Sequence, residues 1–124
     1  MHYLFEVFDF KNNNIDDLDI DESRKDKLLN FLKHEEVKNI KDAIIYKEHE
    51  IRFIKDGAIY HGFIDLMLEY EDHIDIIDYK LSNINSNEYV AQLSGYKEYI
   101  ESKYRKPTNI YLYSINKDIF KKLN

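Results

Sequence analysis

Three charged residues, Asp65, Asp78 and Lys80, lie in two neighbouring apolar segments of the sequence. Side chains of a β-strand alternate between its two faces, so Asp78 and Lys80 should share one face while Tyr79 points to the other. Asp65 falls on the preceding strand of a predicted antiparallel pair, which should bring its carboxylate beside that of Asp78. The spacing therefore predicts two carboxylates and one ammonium group in a single patch.

Two carboxylates held this close repel each other unless a cation lies between them. The sequence contains no cysteine, so any metal must be bound by oxygen and histidine ligands, which favours Mg²⁺ or Mn²⁺. Beside such a metal, Lys80 can orient or deprotonate an attacking water and offset charge that develops on a phosphate, which is the chemistry of phosphodiester hydrolysis. A purely structural ion-pair network is the alternative that these three residues leave open.

A small α/β fold must position these residues. At 124 residues with a hydrophobic content of 44%, the chain is long enough for one domain with a single core, residues 1–124. Apolar periodicity and turn residues predict eight elements in the order ααβββαβα. Helices are expected at residues 2–9, 22–36, 88–103 and 117–123, and strands at residues 43–54, 58–70, 73–81 and 108–115.

The three central strands should form a meander, because short turns at residues 55–57 and 71–72 join them. In residues 63–68 and 74–78, apolar side chains occur at both odd and even positions, which is typical of strands that are covered on both faces. We therefore expect a sandwich in which helices flank a mixed sheet built from the meander and one further strand. Asn85 or Asn87 should cap the third helix.

The formal net charge of −6 is unevenly distributed. Eight basic and four acidic residues occur from Lys80 onward, so that part carries +4 and the preceding part −10. This asymmetry suits a cation site next to a track for phosphates, although solvated helix faces produce it as well. The sequence has neither a membrane-length apolar run nor a signal-peptide pattern, so we expect a soluble, cytoplasmic protein without a membrane partner.

An ordered set of five short motifs resembles the PD-(D/E)xK nuclease domain of RecB- and AddA-type helicase–nucleases. The motifs are, in chain order, His2-x-Leu4-Phe5-Glu6, Glu50-x-x-Phe53, Gly62-x-Ile64-Asp65, Asp78-Tyr79-Lys80 and Gln92-x-x-x-Tyr96. They span most of the chain, and each falls on the type of element that its role requires. The resemblance implies a restriction-endonuclease-like sandwich.

The resemblance also implies a set of metal ligands. Asp65 and Asp78 would bind Mg²⁺, for which Mn²⁺ can substitute, and His2 and the backbone carbonyl of Tyr79 would complete the protein ligands. Lys80 would be catalytic beside this metal. Because His2 is nearly the first residue, its helical turn can fray and weaken metal binding.

The same resemblance assigns roles to Glu50, Gln92 and Tyr96. Glu50 would be catalytic by holding a second cation or orienting water, and Glu48, two residues away on the same predicted strand face, competes for that role. Gln92 and Tyr96 would contact DNA and brace the active site, since their spacing places them on one helix face. For Tyr96, a place in the hydrophobic core is the alternative.

The function that the resemblance implies is a deoxyribonuclease of the exonuclease type, acting in repair and recombination at DNA double-strand breaks. Its partners would be DNA and a helicase domain or subunit that delivers the strands, because the sequence has no Walker-type ATP-binding motif. We expect the chain to be an excised domain or a shortened relative. The alternative is a catalytically inactive nuclease fold that serves as a DNA-binding or assembly element.

Overall fold

The computed structural model describes residue 5, residues 8–11 and residues 21–124. The elements are helix α1 (Glu22–Leu32), two short 3-10 helices (Glu35–Val37 and Ile40–Asp42), strands β1 (Ile44–Lys55), β2 (Ala58–Glu69) and β3 (Ile74–Lys80), helix α2 (Asn87–Tyr104), and strands β4 (Thr108–Ser114) and β5 (Ile119–Lys122). Phe5 is helical as predicted, whereas Phe8 and Asp9 are not. The rest of the helix predicted at residues 2–9 lies outside the described residues, as does most of the polar segment that follows it.

The strands form one five-stranded sheet in the order β1-β2-β3-β4-β5. β1, β2 and β3 form the predicted antiparallel meander, β4 lies parallel to β3, and β5 is antiparallel to β4. Parallel neighbours require a crossover connection, and α2 provides it between β3 and β4. The α/β class and the mixed sheet are therefore confirmed.

The long β1–β2 hairpin closes through Asp56 and Gly57. Both residues have left-handed backbone angles, with φ of 53° and 78°, which is the conformation that an Asp-Gly pair favours in a two-residue hairpin turn. The pairing of β1 with β2 extends from Ile44 opposite Glu69 to Lys55 opposite Ala58. The tip of this hairpin lies beyond the end of the β2–β3 ladder, which runs only from residue 66 to residue 69 on β2.

Apolar side chains are buried on both faces of the sheet, as the continuous apolar runs predict. The α1-face cluster includes Phe5, Leu28, Phe31, Leu66, Leu68, Ile77, Tyr79, Tyr113 and Ile115. The α2-face cluster includes Ile51, Ile64, Met67, Ile74, Ile76, Leu93, Tyr96, Ile100, Ile110 and Leu112. Alternate residues of β3 thus enter opposite clusters, and a helix covers the sheet on each side.

The helix predicted at residues 117–123 is wrong, because the chain forms β5 there. A turn with Asp118 in the left-handed region (φ 55°) reverses the chain after β4. The ring of Phe120 then packs 4.6 Å from that of Tyr113 and 5.7 Å from that of Phe31. These nonlocal contacts outweigh the weak helical periodicity of a seven-residue segment.

The ends of both helices differ in detail from the prediction. The side chain of Ser86, rather than Asn85 or Asn87, caps α2 by accepting a hydrogen bond from the Glu88 N–H at 3.2 Å. α1 ends at Leu32, and a separate 3-10 turn occupies residues 35–37 instead of a continued helix. Neither helix within the described residues is long and apolar enough to cross a membrane.

A buried acid lies on β3, at the opposite end of the strand from Lys80. Asp75 is 5% exposed, accepts a hydrogen bond from Asn109 Nδ2 at 3.0 Å and lies 3.6 Å from His73 Nε2. Burial raises the pKa of Asp75, and the opposing effects of Asn109 and His73 do not cancel this rise. Ionised Asp75 is therefore a cost to the folded state at neutral pH.

Asp75→Asn is expected to raise the melting temperature at neutral pH, because an amide keeps the polar contacts without a buried charge. A carboxyl group whose pKa is raised by folding contributes its full stability only at a pH below its pKa in the unfolded chain. This contribution is lost as the pH rises through its pKa in the folded protein. The gain should therefore shrink as the pH falls toward about 4 in thermal melts. Asp72→Asn, at a side chain that is 85% exposed, is the control that should show no gain. A lower melting temperature for Asp75→Asn at neutral pH would contradict this expectation.

Candidate functional site

Asp65 lies where β2 and β3 separate. The ladder between these strands runs from Glu69 opposite Ile74 to Leu66 opposite Ile77 and ends there. One residue further, the Asp65 carboxylate accepts a hydrogen bond from the Tyr79 N–H at 2.9 Å. The Asp65 side chain therefore bridges the space between β2 and β3 where their pairing ends, and this hydrogen bond fixes it to β3.

Asp78 and Lys80 lie on the α2 face, as strand alternation predicts. Their neighbours Ile77 and Tyr79 enter the α1-face cluster, whereas Ile76 enters the α2-face cluster. Lys80 Nζ lies 2.9 Å from Asp78 Oδ2. Asp78 and Lys80 thus lie together at the carboxyl end of β3, next to Tyr79, whose backbone N–H donates to the Asp65 carboxylate.

Helix α2 closes over this patch with an aromatic ring. Lys80 Nζ lies 4.1 Å from the centroid of the Tyr89 ring, in the geometry of a cation–π contact. Sequence reasoning did not single out Tyr89, and its position one turn before Gln92, near the start of the helix, was the available hint. Burial lowers the pKa of Lys80, but the contacts with Asp78, Tyr89 and Asp65 outweigh it and hold the pKa above its usual range. Lys80 is therefore a charged ammonium group.

The carboxylates of Asp65 and Asp78 differ in the hydrogen bonds that their oxygens accept. Within the described part of the chain, Asp78 Oδ2 is buried without a hydrogen bond of regular geometry, and it meets Lys80 as an ion pair. Buried polar atoms are usually hydrogen-bonded, and an exception is commonly explained by an ion or water. The Lys80 ammonium group, 2.9 Å away, is the ion that meets this oxygen, and the carboxylate is a hard oxygen donor of the kind that Mg²⁺ prefers.

The other two predicted metal ligands are His2 and the backbone carbonyl of Tyr79. His2 lies outside the described residues. Tyr79 lies between Asp78 and Lys80 on β3, with its ring buried against those of Phe5 and Phe31 at 5.0 and 5.8 Å. Among the residues that the structure describes, no three histidine, aspartate or glutamate side chains are grouped closely enough to hold a metal ion.

Glu50 is not brought into a metal-binding group with the two aspartates. It is 60% exposed and lies 3.7 Å from His61 Nε2. Its neighbour Ile51 packs in the α2-face cluster, so Glu50 projects to the other side of β1. Glu48 has a left-handed backbone (φ 48°), which interrupts the alternation that predicted a shared face for Glu48 and Glu50.

Gln92 and Tyr96 share one face of α2, as their spacing predicts. Gln92 Nε2 donates a hydrogen bond to Tyr96 Oη at 3.2 Å. Tyr96 is 8% exposed and belongs to the α2-face cluster, so it packs as a core aromatic residue. Gln92 is exposed, and its bond with Tyr96 orients its side chain at the surface of α2.

Gly62 makes room for the Tyr96 hydroxyl. A Cβ atom at Gly62 would lie inside the van der Waals radius of Tyr96 Oη and 2.9 Å from Tyr96 Cζ. A glycine inside a strand often marks such a close approach, and this was the sequence hint for its role. By contrast, a Cβ at Gly95 would meet only Phe53 Cζ, at 3.9 Å, so close packing does not require a glycine at this position.

Gly62→Ala is expected to displace the Tyr96 ring, break its bond with Gln92 and lower the free energy of unfolding by about 1–3 kcal/mol. Gly95→Ala is the matched control, and it should be neutral or stabilise by up to about 1 kcal/mol because alanine favours the helix. Urea unfolding of both variants measures the difference. Equal effects of the two substitutions would show that Gly62 is not constrained by Tyr96.

Comparison with models of known protein families gave no match, and comparison with curated proteins gave no relative.

Proposed function

We propose that this chain is a Mg²⁺-dependent DNA nuclease domain that hydrolyses phosphodiester bonds. The observation that carries the proposal is the patch at the separation of β2 and β3, where Asp65 and Asp78 lie beside an ammonium group. Asp78 Oδ2 is buried there without a regular hydrogen bond, and Lys80 Nζ lies 2.9 Å away. This donor set suits a hard cation and a negatively charged substrate.

Asp65 and Asp78 would hold the metal, and the motif resemblance adds His2 and the Tyr79 carbonyl. Bound Mg²⁺ or Mn²⁺ would polarise a phosphate oxygen and lower the pKa of a water molecule. The protein's own contribution is positional. The Tyr79 N–H fixes the Asp65 carboxylate at 2.9 Å, and β3 presents Asp78 and Lys80 on one face.

Lys80 and Gln92 are the groups placed to meet DNA. The Lys80 side chain is 25% exposed, and its ammonium group would donate hydrogen bonds to a phosphate oxygen or to an attacking water. Gln92 is exposed and oriented by its bond with Tyr96. Following the resemblance, the DNA strands would be delivered by a helicase domain or subunit during break repair.

One observation favours a second candidate, a catalytically inactive module that binds DNA or assists assembly. Each of the three charged groups already has a protein partner: Asp65 bonds to the Tyr79 N–H, and Asp78 pairs with Lys80. A structural network has this property as well. Metal binding separates the two candidates.

Titration with Mn²⁺ is expected to release or absorb heat and to raise the melting temperature. A ligand at a hundredfold its Kd stabilises a protein by about 2.7 kcal/mol. Asp65→Asn and Asp78→Asn should abolish both responses, and thermal melts of the unliganded variants show that each is folded.

Glu69→Gln is the matched control, since Glu69 is 12% exposed and paired with Lys106 at 2.8 Å, much as Asp78 is 14% exposed and paired with Lys80. This variant should bind the metal like the wild type. Absence of heat and of any rise in melting temperature in the wild type would remove the basis of the enzyme proposal.

A further inference from the structure

A groove separates the tip of the β1–β2 hairpin from α2. Two adjoining cavities of about 640 and 330 Å³ share Phe53, Lys55 and Gly95 and so form one continuous groove. The smaller cavity is lined by Gln92 and Tyr96, the two residues that the motif resemblance assigns to DNA contact. We call it the hairpin–helix groove.

Three aromatic rings are stacked along this groove. The rings of Tyr60 and Phe53 are 5.2 Å apart and inclined by 11°, and those of Phe53 and Tyr99 are 4.9 Å apart and inclined by 15°. Tyr60 is 47% exposed, although Phe53 supports one of its faces. Because both strands and α2 hold the stack, Tyr60 presents an oriented aromatic surface to solvent at little cost in conformational entropy.

The charges around the groove favour a polyanion. Arg52 and Lys55 line it, and Lys103 Nζ lies 5.9 Å from the Tyr99 ring. Glu98 also lines the groove and pairs with Lys55 at 2.8 Å, so these two charges offset each other and the excess positive charge comes from Arg52 and Lys103. Cationic side chains beside an aromatic stack, in a protein of net charge −6, are suited to a nucleic acid strand with accessible bases.

We propose that the hairpin–helix groove is a subsite that binds an unpaired nucleobase of single-stranded DNA by stacking on Tyr60. Phe53 and Tyr99 act as positioning residues for that ring. The inference rests on the proposed function, because the groove adjoins Gln92 at the candidate site. A base in a duplex is already stacked on both sides, and the cavity that Tyr60 lines, of about 330 Å³, has room for a single base but not for a double helix.

The test measures binding of a fluorescein-labelled oligothymidylate of about a dozen nucleotides by fluorescence anisotropy, with EDTA present so that no cleavage occurs. Tyr60→Ala and Tyr60→Leu should weaken binding by about 5- to 150-fold, the equivalent of one stacked base, and Tyr60→Phe should bind like the wild type. Phe63→Ala is the matched control, because Phe63 is 49% exposed on the same strand and should not affect binding.

A second arm replaces the oligothymidylate with an abasic strand of the same length and a blunt duplex. On both probes the wild type and Tyr60→Ala should bind equally, because stacking on an unpaired base is absent. Equal affinity of wild type and Tyr60→Leu for oligothymidylate, or no binding by the wild type, would overturn the inference. Since these measurements exclude metal, they are independent of whether the chain cleaves DNA.

Discussion

Lys80→Met is expected to lower the rate of DNA cleavage by about 10²- to 10³-fold. Methionine keeps an unbranched side chain of similar length but removes the ammonium group that lies 2.9 Å from Asp78 Oδ2. Charge that develops on the phosphate in the transition state would then lack its nearest protein cation. Initial rates on linear single-stranded DNA with saturating Mg²⁺ measure the loss, and Mn²⁺ calorimetry shows whether metal binding persists.

Lys106→Met provides the matched control for this substitution. Lys106 is 26% exposed and paired with Glu69 at 2.8 Å, whereas Lys80 is 25% exposed and paired with Asp78. It lies at the opposite end of the sheet, so its loss should leave the cleavage rate unchanged. Cleavage that persists in Lys80→Met would indicate a contaminating nuclease or a different site on the protein.

Phe31→Ala is expected to lower the free energy of unfolding by about 3–5 kcal/mol. Phe31 is fully buried in the α1-face cluster. Its ring lies within 6 Å of five aromatic rings, those of Phe5, Phe10, Tyr79, Tyr113 and Phe120. Removing the ring leaves a cavity between α1, β3, β4 and β5, which weakens the packing of this entire layer.

Urea unfolding of Phe31→Ala measures this effect, with Leu29→Ala as the control on the same helix. Leu29 is 37% exposed, so its truncation should cost well under half as much. A loss below about 1 kcal/mol for Phe31→Ala would mean that the neighbouring rings close the cavity, or that the α1 layer contributes little to stability.

The central part of the fold was predictable because its causes are local. Alternating and continuous apolar runs define β2 and β3, and Asp56-Gly57 specifies the hairpin turn. The parallel placement of β4 follows from the long helical connection between β3 and β4, since an antiparallel partner needs only a short turn. Only the strand period and turn chemistry were needed for this part.

The C-terminal strand was not predictable, because distant residues cause it. Phe120 is held by the rings of Phe31 and Tyr113, and Tyr113 Oη donates a hydrogen bond to Asp118 Oδ1 at 2.7 Å in the turn that precedes β5. His34 Nε2 also lies 2.6 Å from Asp118 Oδ1. A short segment takes its conformation from such contacts when its own propensity is weak.

The candidate site shows the same division between local and nonlocal causes. The shared face of Asp78 and Lys80 follows from a period of two along one strand. The bond from the Tyr79 N–H to Asp65 and the ring of Tyr89 over Lys80 depend on where β2 ends its pairing and where α2 crosses the sheet. Sequence spacing places Tyr89 one turn before Gln92 but does not specify either contact.

The most direct test of the proposed function is incubation of the purified chain with linear single-stranded DNA and Mg²⁺. The wild type should produce fragments, EDTA should prevent them, and Asp65→Asn and Asp78→Asn proteins that fold normally should produce none. A folded wild type that yields no fragments with either Mg²⁺ or Mn²⁺, or cleavage that continues in both variants, would contradict the assignment of this patch as a nuclease site.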